Sequence, residues 1–192
     1  MKDEETIEHD GKVFEKVQWQ EKTVTNRKFT ECTFKNCQFN MLTFVDCTFT
    51  DCIFEGCDLS LIKVKGCFFN RIQIKSCKAI GINWFETGSP FSVTFVDSNI
   101  SYCSFFGKGI KKAKFKNCLA RETDFSDTNL TDADFSGSNL ENARFANCDL
   151  SYANFKEAQN YHIDLIHNKV QKTKFSLPEA LSLLNQFDIV IE

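Results

Sequence analysis

The sequence predicts an all-β fold: a solenoid of four-sided coils wound around a narrow core, closed by a short C-terminal helix and tail. Three observations predict it. From Arg121 to Phe155 a large apolar residue falls at every fifth position: Phe125, Leu130, Phe135, Leu140, Phe145, Leu150 and Phe155. Two residues before each stands a small one: Thr123, Thr128, Ala133, Ser138, Ala143, Cys148 and Ala153. The large residues alternate strictly between Phe and Leu, and the remaining positions are mostly polar.

Neither common element tolerates this period. On an α-helix, five residues advance roughly 500°, so the large side chains would spiral around every face. On a straight strand, an odd step sends successive large residues to opposite faces. Burying all of them requires a corner after each pentad. The central residue, i, and the small residue at i−2 then point inward, and the other three look out. The Phe/Leu alternation sets the number of sides. With four pentads per coil, Phe stacks on Phe and Leu on Leu, each pair on opposite sides. Coils would stack about 4.8 Å apart through backbone hydrogen bonds.

Composition agrees with one domain. The 192 residues contain 21 Phe but 2 Trp, as expected if one slot is used repeatedly. There is no apolar run of eighteen, so no transmembrane helix is expected. The polar opening MKDEETIEHD does not read as a secretory signal, and a cytoplasmic protein is expected. All ten cysteines, Cys32, Cys37, Cys47, Cys52, Cys57, Cys67, Cys77, Cys103, Cys118 and Cys148, occupy the i−2 slot. There they serve as small hydrophobes. Coil neighbours such as Cys37 and Cys57 would lie about 4.8 Å apart in parallel register, slightly beyond disulfide range. Reduced structural cysteine is the expectation, with metal or redox chemistry as the competing reading.

The chain divides into an N-terminal tail (1–13), the repeat region (14–160) and a C-terminal cap and dimerisation segment (161–192). Residues 1–10 read as a loose tail. The register begins at Phe14, Trp19, Val24 and Phe29, but Lys12, Lys22 and Arg27 in small-residue slots make the first coil a poorly formed cap. The repeat is dense from Phe29 to Ile74. It breaks at about 85–94, after Trp84, and resumes at Phe95 one residue out of phase. The segment Trp84, Phe85, Glu86, Thr87, Gly88, Ser89, Pro90 and Phe91 reads as a one-residue bulge or a protruding loop. Its glycine and proline favour the loop. If one residue is skipped, Phe34, Phe54, Ile74, Phe95, Phe115, Phe135 and Phe155 share a side. Phe44, Val64, Trp84, Phe105, Phe125 and Phe145 share the opposite one. Ala79, Ala120 and a blank at Pro90 fall on intermediate sides. Lys108 sits in an inward slot, where an unpaired charge is costly, so a local bulge is expected.

The repeat fades after Ala158. Ser176-Leu177-Pro178-Glu179 reads as a capping box opening a helix over 177–186. Its apolar arc is wider than one cap face requires, and a β-branched tail follows. Leu177, Leu181, Leu183, Leu184, Phe187, Ile189 and Ile191 are therefore read as a homodimer contact; a monomeric cap is the alternative.

No catalytic constellation emerges, and no enzyme activity or cofactor is expected. His9, His162 and His167 lack a partner set, and no phosphate loop or nucleophile motif is present. Charge is more informative. Residues 1–120 carry 17 Lys and Arg against 14 Asp and Glu, a net +3; residues 121–192 carry 6 against 12, a net −6. The acids of the regular stretch are Glu122, Asp124, Asp127, Asp132, Asp134, Glu141 and Asp149. A rigid negative rod can occupy a basic groove built for DNA. The competing reading is a solvated polar surface. Two basic clusters, Lys63/Lys65/Arg71/Lys75/Lys78 and Lys108/Lys111/Lys112/Lys114/Lys116, depart from a uniformly acidic rod. Arg71 and Lys75 fall two coils from Lys112 and Lys116 on the same side.

The repeat resembles the pentapeptide-repeat family, whose motif is roughly A(D/N)LXX. Here it reads Ala133-Asp134-Phe135, Ser138-Asn139-Leu140, Ala143-Arg144-Phe145 and Ala153-Asn154-Phe155. The resemblance implies a right-handed quadrilateral β-helix. The interrupted repeat and the ending LPEALSLLNQFDIVIE are similar to the gyrase-protecting members of the Qnr and McbG type. That similarity implies a non-enzymatic DNA mimic that binds DNA gyrase or topoisomerase IV and counters quinolones or a peptide toxin. Glu122, Asp124, Asp127, Asp132, Asp134, Glu141 and Asp149 would form the partner-binding flank, and the 84–91 loop would reach toward the stalled complex. An interaction scaffold with an unrelated partner, or nucleic-acid binding through the lysine clusters, are the alternatives.

Overall fold

The computed structural model describes residues 6–187 and 189. Its short strands pair in parallel, each with the strand twenty residues on. Phe14 pairs with Phe34 and Phe34 with Phe54; Val24 pairs with Phe44 and Phe44 with Val64. Beyond the interruption the same register continues as isolated bridges, from Asn99 to Leu119 to Asn139. Four pentads therefore complete each coil of a parallel β-solenoid, as the alternation requires. Its faces are named here by their central residues. Face 1 runs through Phe34, Phe95 and Phe135, face 2 through Phe39, Ile100 and Leu140, face 3 through Phe44, Phe105 and Phe125, and face 4 through Phe49, Ile110 and Leu130.

Each pentad turns its corner at i+2, where the backbone enters the left-handed region: Asp127, Asp132 and Asn142 have φ of 57°, 59° and 56°. Asp and Asn tolerate that conformation better than most residues. The corner amide then bonds the next coil, as Asp132 N–H does to the Ser151 carbonyl at 2.9 Å. Asp and Asn at i−1 have a second task. Asp124, Asp134 and Asp149 each accept, through Oδ1, the amide of the residue two places on, at 2.9, 3.1 and 3.1 Å. These side chains satisfy donors that the coil leaves unpaired.

Inside, Phe115, Phe135 and Phe155 stack with centroids 5.0 and 4.8 Å apart. Phe105, Phe125 and Phe145 form the opposing stack at 5.2 Å for each pair. The two stacks meet edge to face, Phe125 against Phe135 at 5.3 Å and 85°, a preferred aromatic arrangement. The i−2 slot holds more than small size. The Cys52 thiol donates to the Phe29 carbonyl one coil back at 3.4 Å, and the Thr123 and Thr128 hydroxyls do the same to Ile100 and Phe105 at 3.0 and 3.1 Å. Cys, Ser and Thr interchange there because each is compact and carries a donor. All ten cysteines are buried free thiols.

Four local expectations change. Ile7–Asp10 is not loose tail: it is a strand paired in parallel with Arg27–Thr30, so the first coil begins earlier. The interruption is not a protruding loop. Trp84–Glu86 forms one 3-10 turn capped by Asn83, Trp84 stays in the core, and Phe91 pairs with Phe69 on face 4. Trp84 to Phe91 spans seven residues where five are regular, and Phe91 to Phe95 spans four. The one-residue phase change is thus an insertion of two at one corner and a deletion of one at the next. Phe91, not Pro90, takes the blank place. Around Lys108 there is no bulge: Gly107 N–H reaches Ser126 and Lys108 N–H reaches Phe105, both at 3.0 Å, as at other corners. Lys108 is half-buried and extends its ammonium to the Thr87 carbonyl at 2.7 Å.

At the C-terminus, Glu179–Gln186 is a 3-10 helix, not an α-helix, and it has no side-chain cap. Ser176 and Glu179 cap the solenoid instead. Their side chains accept the amides of Glu157 and Asn160, at 2.8 and 2.6 Å, which the end of the repeat leaves exposed.

Candidate functional site

The surface, not a pocket, carries the features that could recognise a partner. The seven acids of the regular stretch do not share a flank. Asp124 and Asp127 lie on face 3, Asp132 and Asp149 on face 4, Asp134 on face 1, Glu122 and Glu141 on face 2, as the five-residue step dictates. They form a belt around the rod. Several are also engaged. Glu141 pairs with Arg121 at 2.9 Å, Asp149 with Lys169 at 3.8 Å, and Asp127 and Asp134 accept Asn147 and Asn154 at 3.2 and 2.9 Å. The hydroxyl of Ser151, and after it the Ser151 amide, hold the Asp149 carboxyl below the usual carboxylate range.

The 84–91 segment divides by burial. Trp84 and Thr87 are buried and cannot touch a partner, Gly88 and Phe91 are half-buried, and Phe85, Glu86, Ser89 and Pro90 are exposed. Gly88 is required by packing: a Cβ there would collide with the Phe68 ring. Exposed Phe85 meets exposed Phe106 of the next coil, with centroids 6.0 Å apart. Face-3 column arithmetic could have found this pair, since both follow a central residue and lie one coil apart.

The C-terminal residues divide likewise. Leu177, Leu181, Phe187 and Ile189 are exposed at 75%, 45%, 44% and 55%. Leu183 is buried within its own chain and Leu184 is half-buried, so these two serve the cap. Ile191, with most of the predicted tail, lies outside the described residues.

The basic clusters straddle a corner. Arg71 and Lys112 belong to the end of face 4, Lys75 and Lys116 to face 1. Arg71 is committed to Asp51 through two bonds of 2.6 and 2.5 Å. His167 bonds Asp164 at 2.6 Å on the surface. Among the described residues no group of three His, Cys, Asp or Glu comes together as a metal site. No helix among them is long and apolar enough to cross a membrane.

A parallel solenoid of four pentads per coil, with left-handed corners and a small donor slot at i−2, defines a class of repeat protein. The chain belongs to the pentapeptide-repeat family: eight copies of the "Pentapeptide repeats" model match, over residues 28–71, 111–145 and 128–159. No curated protein sequence matches the chain. Two solved structures of trypsin-treated QnrB1, described as a plasmid-mediated fluoroquinolone resistance protein, are similar in fold. One is 16% identical, covers 98% of this chain and 100% of its own, with a TM-score of 0.62. The other is 17% identical, covers 97% and 98%, with a TM-score of 0.63.

Proposed function

We propose that this protein is a non-enzymatic DNA mimic that binds DNA gyrase or topoisomerase IV and protects it from a quinolone or a peptide toxin. The observation that carries the reading is the acidic belt on a rigid rod. On the regular coils of 121–155, Glu122, Asp124, Asp127, Asp132, Asp134, Glu141 and Asp149 stand against Arg121 and Arg144 alone. Carboxylates fixed at regular spacing offer a basic DNA groove the same field that a duplex does, without ordering on contact. A belt suits this role, because a saddle-shaped groove meets more than one face of a rod. The fold likeness to QnrB1 across nearly the whole chain supports the reading at the level of architecture.

Leu177, Leu181, Phe187 and Ile189 would pair two chains end to end, joining two belts into one longer acidic rod. Phe85, Glu86, Ser89 and Pro90 are the loop residues exposed to meet the partner. A supercoiling assay tests the proposal: gyrase stalled by a fluoroquinolone should regain activity on addition of stoichiometric protein, and no recovery at excess would reject it. The mixed surface favours a second reading, an interaction scaffold with a different partner. In that case a pull-down recovers another protein and no topoisomerase.

A further inference from the structure

The coil-to-coil ladder opens on face 4 just after the interruption, as it does on face 3 where the repeat fades into the C-terminal cap. Among the described residues, no backbone hydrogen bond joins 88–94 to 108–113, and Phe95 N–H to the Lys114 carbonyl at 2.7 Å marks where pairing resumes. The opening coincides with the missing corner residue between Phe91 and Phe95. A cleft of about 130 Å³ results, lined by Phe91, Ser92, Thr94, Gly109, Lys111 and Lys112 among others. That is room for about four waters at ~30 Å³ each.

Two backbone donors are left over there. The amide that Asn129, Asp134 or Asp149 caps in the following pentads is, in this one, that of Lys111. Its capping position is occupied by Gly109, which has no side chain. The Lys111 amide and the Gly109 amide make no hydrogen bond. Both belong to residues lining the cleft, as does Lys112, and no Asp or Glu lines it. The Lys108 ammonium adds charge nearby, 5.3 Å from the centroid of the Phe91 ring. The opposing charge comes from farther along the rod, where Asp149 feels Lys111.

We propose that this cleft binds a single phosphate group, free or as the end of a small phosphate monoester, through the Gly109 and Lys111 amides and the Lys111 and Lys112 ammoniums. Paired amides with lysines alongside form an anion-binding concavity, and charge-assisted bonds favour a dianion over chloride. The site is independent of the acidic belt's proposed role.

The variant Gly109→Asn tests it without adding charge. It restores the side-chain cap found in neighbouring pentads, and a Cβ at this position meets nothing within 4 Å. Isothermal titration with inorganic phosphate, and separately with adenosine monophosphate, is run against chloride at matched ionic strength. Saturable binding to the wild type is expected, with at least a tenfold loss in Gly109→Asn and in Lys111→Gln/Lys112→Gln. The phosphate-free melting temperature of Gly109→Asn should be unchanged or higher. Either ranking of the two ligands supports the site and identifies its source. No saturable binding to the wild type, wild-type affinity in both variants, or binding of a DNA duplex without binding of phosphate would overturn the proposal.

Discussion

The ammonium of Lys108 donates to the carbonyl of Thr87 at 2.7 Å, from a slot that in the following pentads, from Ala113 to Ala153, holds Cys, Ser, Thr or Ala. Thr87 is buried, and its stretch has lost its regular partners in the next coil. The lysine replaces the missing ladder bond across the irregular corner. Lys108→Met should therefore cost about 1–3 kcal/mol, the penalty of a buried carbonyl left unpaired. Urea denaturation would read this as a lower midpoint at unchanged slope. Unchanged stability would mean that the contact does not hold the corner.

The acids of the belt should separate into two kinds. Asp134 caps the Ser136 amide and accepts Asn154, so Asp134→Ala should lose about 1 kcal/mol, comparable to losing a helix cap. Glu122, Asp127, Asp132 and Glu141 lie on the outside without capping a backbone amide. Neutralising those four as Gln, Asn, Asn and Gln should keep the melting temperature within a few degrees. The same change should weaken binding to gyrase at least tenfold by biolayer interferometry. Equal binding would detach the acids from partner recognition.

Burial pushes the thiols of Cys52, Cys103 and Cys118 up to about 12, and that of Cys148 to about 11. The folded state then holds protons that the unfolded chain releases near its ordinary thiol value, so it binds more protons above that point. The thiol contribution is complete below about pH 8.5. It declines as the pH rises toward 11–12. Denaturant midpoints should fall steadily between pH 9 and 11, less so in a variant carrying Ser at Cys52, Cys118 and Cys148. A chromogenic thiol reagent at pH 8 should find few reactive groups until urea is added.

Leu181 and Phe187 are exposed at the end of the rod. Leu181→Glu/Phe187→Glu should convert a dimer into a monomer by analytical ultracentrifugation while the β-type circular dichroism is retained. A monomeric wild type would contradict the end-to-end arrangement.

The fold was legible because one constraint repeats. A large residue at every fifth position leaves no alternative to a corner per pentad, and the Phe and Leu columns specify four sides. The same arithmetic carried both aromatic stacks across the break. It failed where the chain departs from its period by compensating amounts. A phase change of one residue looks identical whether one residue is added, or two are added at one corner and one removed at the next. Only the pairing of Phe91 with Phe69 distinguishes them. Ser176 and Glu179 misled for a different reason. Their spacing fits a helix cap, but the last coil's exposed amides compete for the same oxygens and win. The acids read as a flank because they are contiguous in sequence, whereas a five-residue step distributes contiguous residues around all four faces. The open cleft at Gly109 was hidden because an absent side chain leaves no mark in the periodicity.

Mimicry makes one demand that other modes of protection do not: the protein and DNA must exclude each other from the enzyme. Fluorescence anisotropy of a labelled duplex bound to gyrase measures this directly. Titration with the protein should release the duplex completely, with a midpoint that rises in proportion to the duplex concentration and weakens steeply with salt. A ternary complex of gyrase, duplex and protein at saturation, with anisotropy undiminished, would contradict the account.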